Sequence, residues 1–575
     1  MMHLHPSHFR FWFLLAALAL GAGRVQDAGA AISPAPPLFE GTGSHTRVIT
    51  GAKPETQRYF DQGVALVTNF NYDEGLRSMQ HATRLDPECP MAWWGVALAC
   101  SPHINSPGVS PARTKLAIEA LREAERLAAP SANATAVERA LIRAMTMRFA
   151  EGSERDRSGL DRAYAEAMRQ VWQDHPEDAD VATWCADAWM MLRPWDLWHK
   201  DGTPQPGTEV VVAALATALR LNPLHPLANH LAVHAHEASS HPGQALEAAD
   251  RLRVLTPGLG HLVHMASHID VRLGHWDQAI EANVRSIAIN QRYQAAAGRP
   301  VGGYLSYMGH DYHLLTYAAM MSGRSELAAR TMRELFERMP PEWNRESSTA
   351  DGYVAMQFEV MKRFGKWDEI LAAPEPIAKH PHARVWRFLA RGIARAAQGD
   401  SAGAREEAVA LAGARKQIGA GAQYRKNPLA EVIDIAEHLL EGEILISEGK
   451  VEAGLAHLRA GVVREDALRY AEPPAWTHPV RHALGAALLQ RHLLAEAEQV
   501  YRDDLARNAD NGWSLFGLAQ TLRLQNKHPD ELAAVEARFK EVWANADVTL
   551  TSSCFCLPVA ASAALPPKRR VKGEE

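Results

Sequence analysis

Residues 225–237 read His225-Pro226-Leu227-Ala228-Asn229-His230-Leu231-Ala232-Val233-His234-Ala235-His236-Glu237, and residues 260–268 read Gly260-His261-Leu262-Val263-His264-Met265-Ala266-Ser267-His268. His264 follows His230 by 34 residues, and His268 follows His234 by the same 34. The register persists beyond the histidines, because Gln244-Ala245 and Glu247 return as Gln278-Ala279 and Glu281. A period of about 34 is the length of a helix-turn-helix repeat of the tetratricopeptide (TPR) type. The expected fold is therefore all-α, a TPR-type α-solenoid in which both histidine pairs occupy equivalent points of neighbouring helices. With a 15-residue insertion before the next unit, Gly274 maps to Gly323 and Ala279 to Ala328, which carries His261 and His264 onto His310 and His313.

Side chains on a helix repeat their direction every three, four and seven residues. His230, His234, Glu237 and His241 thus fall on one stripe; His261, His264 and His268 on a second; and His310, His313 and Tyr317 on a third. The first helix of each TPR unit lines the concave groove, so the three stripes are expected to converge. Positions 225–313 hold eleven of the 27 histidines in the chain. Imidazoles with one carboxylate suit a transition metal, Zn, Fe, Mn or Cu, where an oxygen-only cluster would suit Ca or Mg. The candidate ligand set is His230, His234, Glu237, His261, His264, His268, His310 and His313, with Glu237 as ligand or general base. One ion with a full outer shell and two ions sharing the carboxylate both fit that count. Histidines packed or hydrogen-bonded without any metal are the structural alternative.

Working outward, the repeats solve the problem of a 575-residue chain too long for one core. Arg10, the apolar run Phe11 to Ala22 and Ala28-Gly29-Ala30 read as an export signal over residues 1–30. That run is shorter than a membrane span needs, so the expectation is a periplasmic or extracellular protein without a span after cleavage. A linker (31–54) leads to N-terminal repeats (55–223), the central histidine repeats (224–335), C-terminal repeats (336–548) and a disordered tail (549–575). Turns between paired helices are expected at Gly365-Lys366, Gly399-Asp400, Gly449-Lys450 and Leu494 to Ala497.

The net charge of −6, with both signs interspersed, offers no basic stripe for nucleic acid. Five scattered cysteines form no disulfide framework, and Cys554-Phe555-Cys556 reads as an inert or locally oxidised pair. A phosphate-binding glycine loop, a serine nucleophile elbow, a haem-attachment motif and His-Glu-x-x-His are all absent. Two further segments bear on the groove: His103 in a loop, expected to be solvated, and Trp195-Asp196-Leu197-Trp198-His199, a candidate rim or lid.

Phe70-Asn71-Tyr72-Asp73-Glu74, Ala92-Trp93-Trp94-Gly95, Leu192-Arg193-Pro194-Trp195-Asp196-Leu197-Trp198 and the histidine segments together resemble a family of exported bacterial TPR proteins of similar length. The resemblance runs from about Gln57 to Val548 and implies the fold, with no established activity attached. Where the family often has histidine, this chain has Tyr72. Asp270 and Asp311 depart from its pattern as carboxylates able to orient histidines.

Three functions follow from these readings. One is a metal-dependent enzyme working in the groove. The second is a scaffold binding a protein or peptide on the concave face, with a structural metal or none. The third is metal capture or delivery.

Overall fold

The computed structural model describes residues 35–129, 133–152, 156–346 and 348–556. The segment read as an export signal and the tail beyond residue 556 lie outside the described residues. The chain is an all-α solenoid of TPR type: the described residues hold 25 α-helices, nearly all consecutive ones packed as neighbours, and one two-stranded ladder of Gln423–Tyr424 against Asn427–Pro428. No helix among the described residues is long and apolar enough to cross a membrane.

Proline marks many helix starts, at Pro54, Pro90, Pro111, Pro226, Pro381 and Pro529, where its missing N–H costs no intrahelical bond. Glycine ends the repeats where the sequence register places it. Gly274 closes Gly260–Leu273 at φ 76°, and its counterpart Gly323 follows Leu305–Met321 at φ 73°, a conformation that penalises any Cβ. Gly365, Gly399 and Gly449 are likewise left-handed turn residues. The fourth expected turn lies earlier than Leu494, because the helix already begins there and His492 carries the positive φ.

The insertion before the third histidine helix lengthens its predecessor. Trp276–Ala297 has 22 residues where the equivalent Leu246–Leu255 has ten. The connection that follows bends back to the first repeat. Tyr304 takes a hydrogen bond from Asn69 at 2.8 Å, Gly303 donates to Asp73 at 3.1 Å, and Arg299 pairs with Glu74. On the other side of the groove, Lys200 donates to the Asp466 carbonyl at 3.2 Å, and Arg469 meets Asp196 at 3.4 Å. The superhelix is thus tied across its own concave face.

Both chain ends depart from the expected boundaries. The described part of the expected linker is fastened to the helices, through Phe39 on Gln62, Arg47 on Asp178 and Asp180, and Thr50 on Glu138. The expected tail is packed through Cys556, because Leu550 and the disulfide-bonded Cys554 and Cys556 are buried and Phe555 sits edge-on to Trp513. Apolar side chains outweigh position near a terminus in deciding order.

Candidate metal centre

Three helices bring the histidines together: Pro226–His236, Gly260–Leu273 and Leu305–Met321. The first two are buried along nearly their whole length, so the imidazoles project into the interior of the solenoid. Ligand atoms of His230, His234 and His261 lie within 4.8 Å of one another, as do those of His264, His268 and His310, and those of His234, Glu237 and His268. The edge contact between the His234 and His268 rings, centres 5.7 Å apart, joins the two histidine triads.

Hydrogen bonding assigns the ring nitrogens. His230 Nδ1 lies 2.9 Å from the Thr68 carbonyl, and His264 Nδ1 lies 2.6 Å from Oδ1 of Asn283, whose own amide donates to Ala279. His234 Nδ1 meets one oxygen of Glu237 at 2.8 Å, and His268 Nδ1 meets the other at 2.6 Å. A carbonyl or carboxylate oxygen accepts, so each Nδ1 carries the proton and each Nε2 keeps its lone pair. Those Nε2 atoms then face each other in pairs, His230 to His234 at 3.0 Å and His264 to His268 at 2.9 Å.

Electrostatics disfavour positive charge on most of the buried rings and keep one carboxylate ionised among them. Burial, then neighbouring imidazoles, hold His230, His261 and His310 well below the ordinary histidine range; burial and His268 do the same to His264. Burial pushes Glu237 up, but His234 and His268 outweigh it and hold that carboxylate at about 2. His261 is 1 % exposed, and both of its ring nitrogens lack a partner. Leaving buried polar nitrogens unpaired costs on the order of 1–3 kcal/mol each.

The remaining predicted positions divide. His310 joins its triad, but its Nδ1 faces Arg425 Nη1 at 3.3 Å, a donor where His230, His234, His264 and His268 have acceptors. His313 joins neither triad. It shares the helix face of His310, but its Nδ1 takes a hydrogen bond from Arg425 and its ring lies edge-on to Tyr353 at 5.1 Å. His241 leaves the stripe because Pro242 bars the helical conformation from the residue before it; the helix stops at His236, and His241 is exposed. Asp311 Oδ1 lies 3.3 Å from His264 Nδ1 without a hydrogen bond, that nitrogen being held by Asn283, whereas Asp270 pairs with Arg253 at 2.6 Å, away from the cluster. His103, expected in solvent, is buried between Tyr72 and Phe70, with ring centres 4.5 and 4.6 Å away. Burial, then the positive charge of Arg113, drive its pKa down to about 3. Trp195 does form a rim, edge-on to His234 at 5.2 Å.

A cavity of about 780 Å³ adjoins the cluster, with Phe70, Trp195, His310, Arg425, Lys426 and Glu472 on its wall. Sequence reasoning missed most of this wall. Phe70 lies against His230, His234 and His261 at 4.6, 6.0 and 5.2 Å, and stands in a segment quoted above only for family resemblance. Arg425 and Lys426 form the turn of the small hairpin, at φ 49° and 62°. No spacing rule reaches that far along the chain; a short polar turn between helices was the available signal.

No family model matches the chain, and no curated protein matches it. Among solved structures it is similar to the human IFIT1 dimer with PPP-AAAA, at 14% identity and a TM-score of 0.30, over 84% of this chain and 90% of that one. It is similar also to yeast Tom70, at 10% identity and 0.29, over 84% and 92%. A third is Cut9 in the APC/C hetero-tetramer Cut9-Hcn1, at 11% and 0.28, over 88% and 77%. Likeness at that level says nothing of what this chain binds.

Proposed function

We propose that this protein binds transition-metal ions, Zn, Fe, Mn or Cu, in its histidine centre and works on a small molecule held in the adjoining cavity. The observation that carries the reading is the pair of Nε2–Nε2 approaches at 3.0 and 2.9 Å between rings whose Nδ1 atoms are already committed. Two lone pairs cannot bond to each other, and a shared cation removes the conflict. Nitrogens about 2.1 Å from one ion stand roughly 3.0–3.4 Å apart at angles between 90° and tetrahedral. The residues fit such a group, since His261 brings two unpartnered buried nitrogens to the same place.

On this reading His230 and His234 hold one ion with His261, and His264 and His268 hold another with His310. Bound there, an ion supplies Lewis-acid or redox chemistry. Glu237 acts from behind: it fixes the orientation and tautomer of one ring in each triad, an outer-shell role in place of ligand or general base. Phe70 and Trp195 shield the rings from bulk water.

A small molecule is favoured over a peptide because about 780 Å³ lies in the range of small-molecule sites and ties cross the groove beside it. An export signal over residues 1–30 would place this chemistry in the periplasm or outside the cell.

The test is elemental analysis of untagged protein, wild type beside His234→Ala and His268→Ala. Metal near two equivalents, falling by about one in each variant, supports the proposal. Protein that stays metal-free after incubation with each of the four ions sinks it and leaves a binding scaffold.

A further inference from the structure

The hairpin turn carries two cations to the cavity wall. Arg425 donates to His310 Nδ1 at 3.3 Å, to the Glu472 carbonyl at 3.2 Å and to His313 Nδ1. Lys426 reaches over the Trp195 ring, its Nζ 5.6 Å from the ring centre. Neither has a carboxylate at ion-pair distance among the described residues, in a molecule where most arginines are so paired. Of the two carboxyl groups on the wall, Asp73 is committed to Arg113 at 2.5 Å and to the Gly303 amide, and Glu472 lies beyond 4.0 Å from both cations. Both turn residues adopt left-handed backbone without being glycine, a conformation that surrounding structure must hold in place. The same cavity is lined by aromatic rings, Tyr72, Tyr307, Tyr353 and Tyr424 with Phe70 and Trp195.

We propose that the cavity takes a small organic anion with a flat, unsaturated body, its carboxylate held by Arg425 and Lys426 and its body laid on the tyrosine rings. A guanidinium and an ammonium together match a carboxylate by charge-assisted hydrogen bonds. A planar body gains ring-on-ring contact. The proposal rests on the metal reading for what happens to the anion, and on the wall alone for its binding.

Calorimetric titration of the full chain, with metal content determined on each sample, tests it using benzoate and its neutral isostere benzamide. Benzoate is expected to bind at least about tenfold more tightly than benzamide. Lys426→Gln is expected to weaken benzoate about tenfold while leaving benzamide affinity and metal content unchanged. Arg425→Gln should abolish the preference, but it also touches His310 and His313, so Lys426→Gln is the decisive variant. Equal affinities for the two probes, indifference of benzoate to Lys426→Gln, or no benzoate binding would each overturn the proposal. Metal-free protein that still holds benzoate through Lys426 supports the anion pocket and removes the metal reading. Metal-loaded protein indifferent to benzoate does the reverse.

Discussion

His230 and His234, one helical turn apart, present their Nε2 atoms to each other at 3.0 Å while the Nδ1 of each is held by an oxygen, Thr68 behind one and Glu237 behind the other. One repeat later His264 and His268 do the same at 2.9 Å, backed by Asn283 and the second oxygen of Glu237. The repeat has thus duplicated a chelating pair, and one carboxylate spans the two copies.

Metal should stabilise the fold, since the converged nitrogens exist only when adjacent repeats are stacked. An ion at a hundred times its dissociation constant adds about 2.7 kcal/mol, which for a chain of this size raises the melting temperature by roughly 2–3 °C. The double variant His234→Ala/His268→Ala should melt at the same temperature with and without metal; a retained metal-dependent shift in that variant would place the binding elsewhere.

Glu237→Gln puts an amide –NH2 against one of two Nδ1–H groups. One imidazole must then change tautomer or turn, and metal affinity should fall about 10- to 100-fold. Competition against a chromogenic chelator measures this directly. An unchanged affinity would show that the carboxylate does not hold the rings.

Gly274→Ala tests the repeat junction. A Cβ there would sit 2.5 Å from the Ala509 carbonyl oxygen at φ 76°, so the expected loss is about 2–4 kcal/mol. Gly298→Ala, at φ 62° with nothing within 4 Å, should cost only about 1 kcal/mol. Chemical denaturation of both variants gives the comparison, and equal losses would exclude a packing contribution at Gly274.

Acid should destabilise the protein from below about pH 6.5, even in metal-free preparations. His382, held between the Trp386 and Tyr424 rings with Nε2 unpartnered, is pushed down by burial to about 3. Its folded-state pKa lies below the unfolded value of 6.5, so between those values the unfolded chain binds the extra proton and stability falls as pH falls. His382→Phe should flatten the dependence of stability on pH in that window by at most about 1.4 kcal/mol per unit. A slope unchanged by this substitution would mean that His382 titrates normally in the folded state.

Much of the fold was legible because a 34-residue register is written locally. Ala245, Ala279 and Ala328 are all buried where equivalent repeats need a small side chain, and Gly274 and Gly323 take the same left-handed turn. The histidine steps on the first two helices likewise follow from helical geometry alone. His241 misled because a stripe was projected past the end of the helix, which stops at His236. His313 misled because the repeat alignment equates positions in sequence and takes no account of the hairpin that meets the third helix from the side.

The sequence by itself determined that helices repeat, that two neighbouring ones carry imidazoles at matching points, and that Glu237 sits one turn beyond His234. These are short-range facts, set by 3.6 residues per turn. Tertiary structure alone decided which nitrogen of each ring faces inward, because the acceptors that fix it, Thr68 and Asn283, come from other helices. It also decided that the groove becomes a cavity with a cationic wall. Arg425 lies more than 100 residues beyond His310, and only the closure of the superhelix, driven by burial of side chains along its whole length, brings the two together.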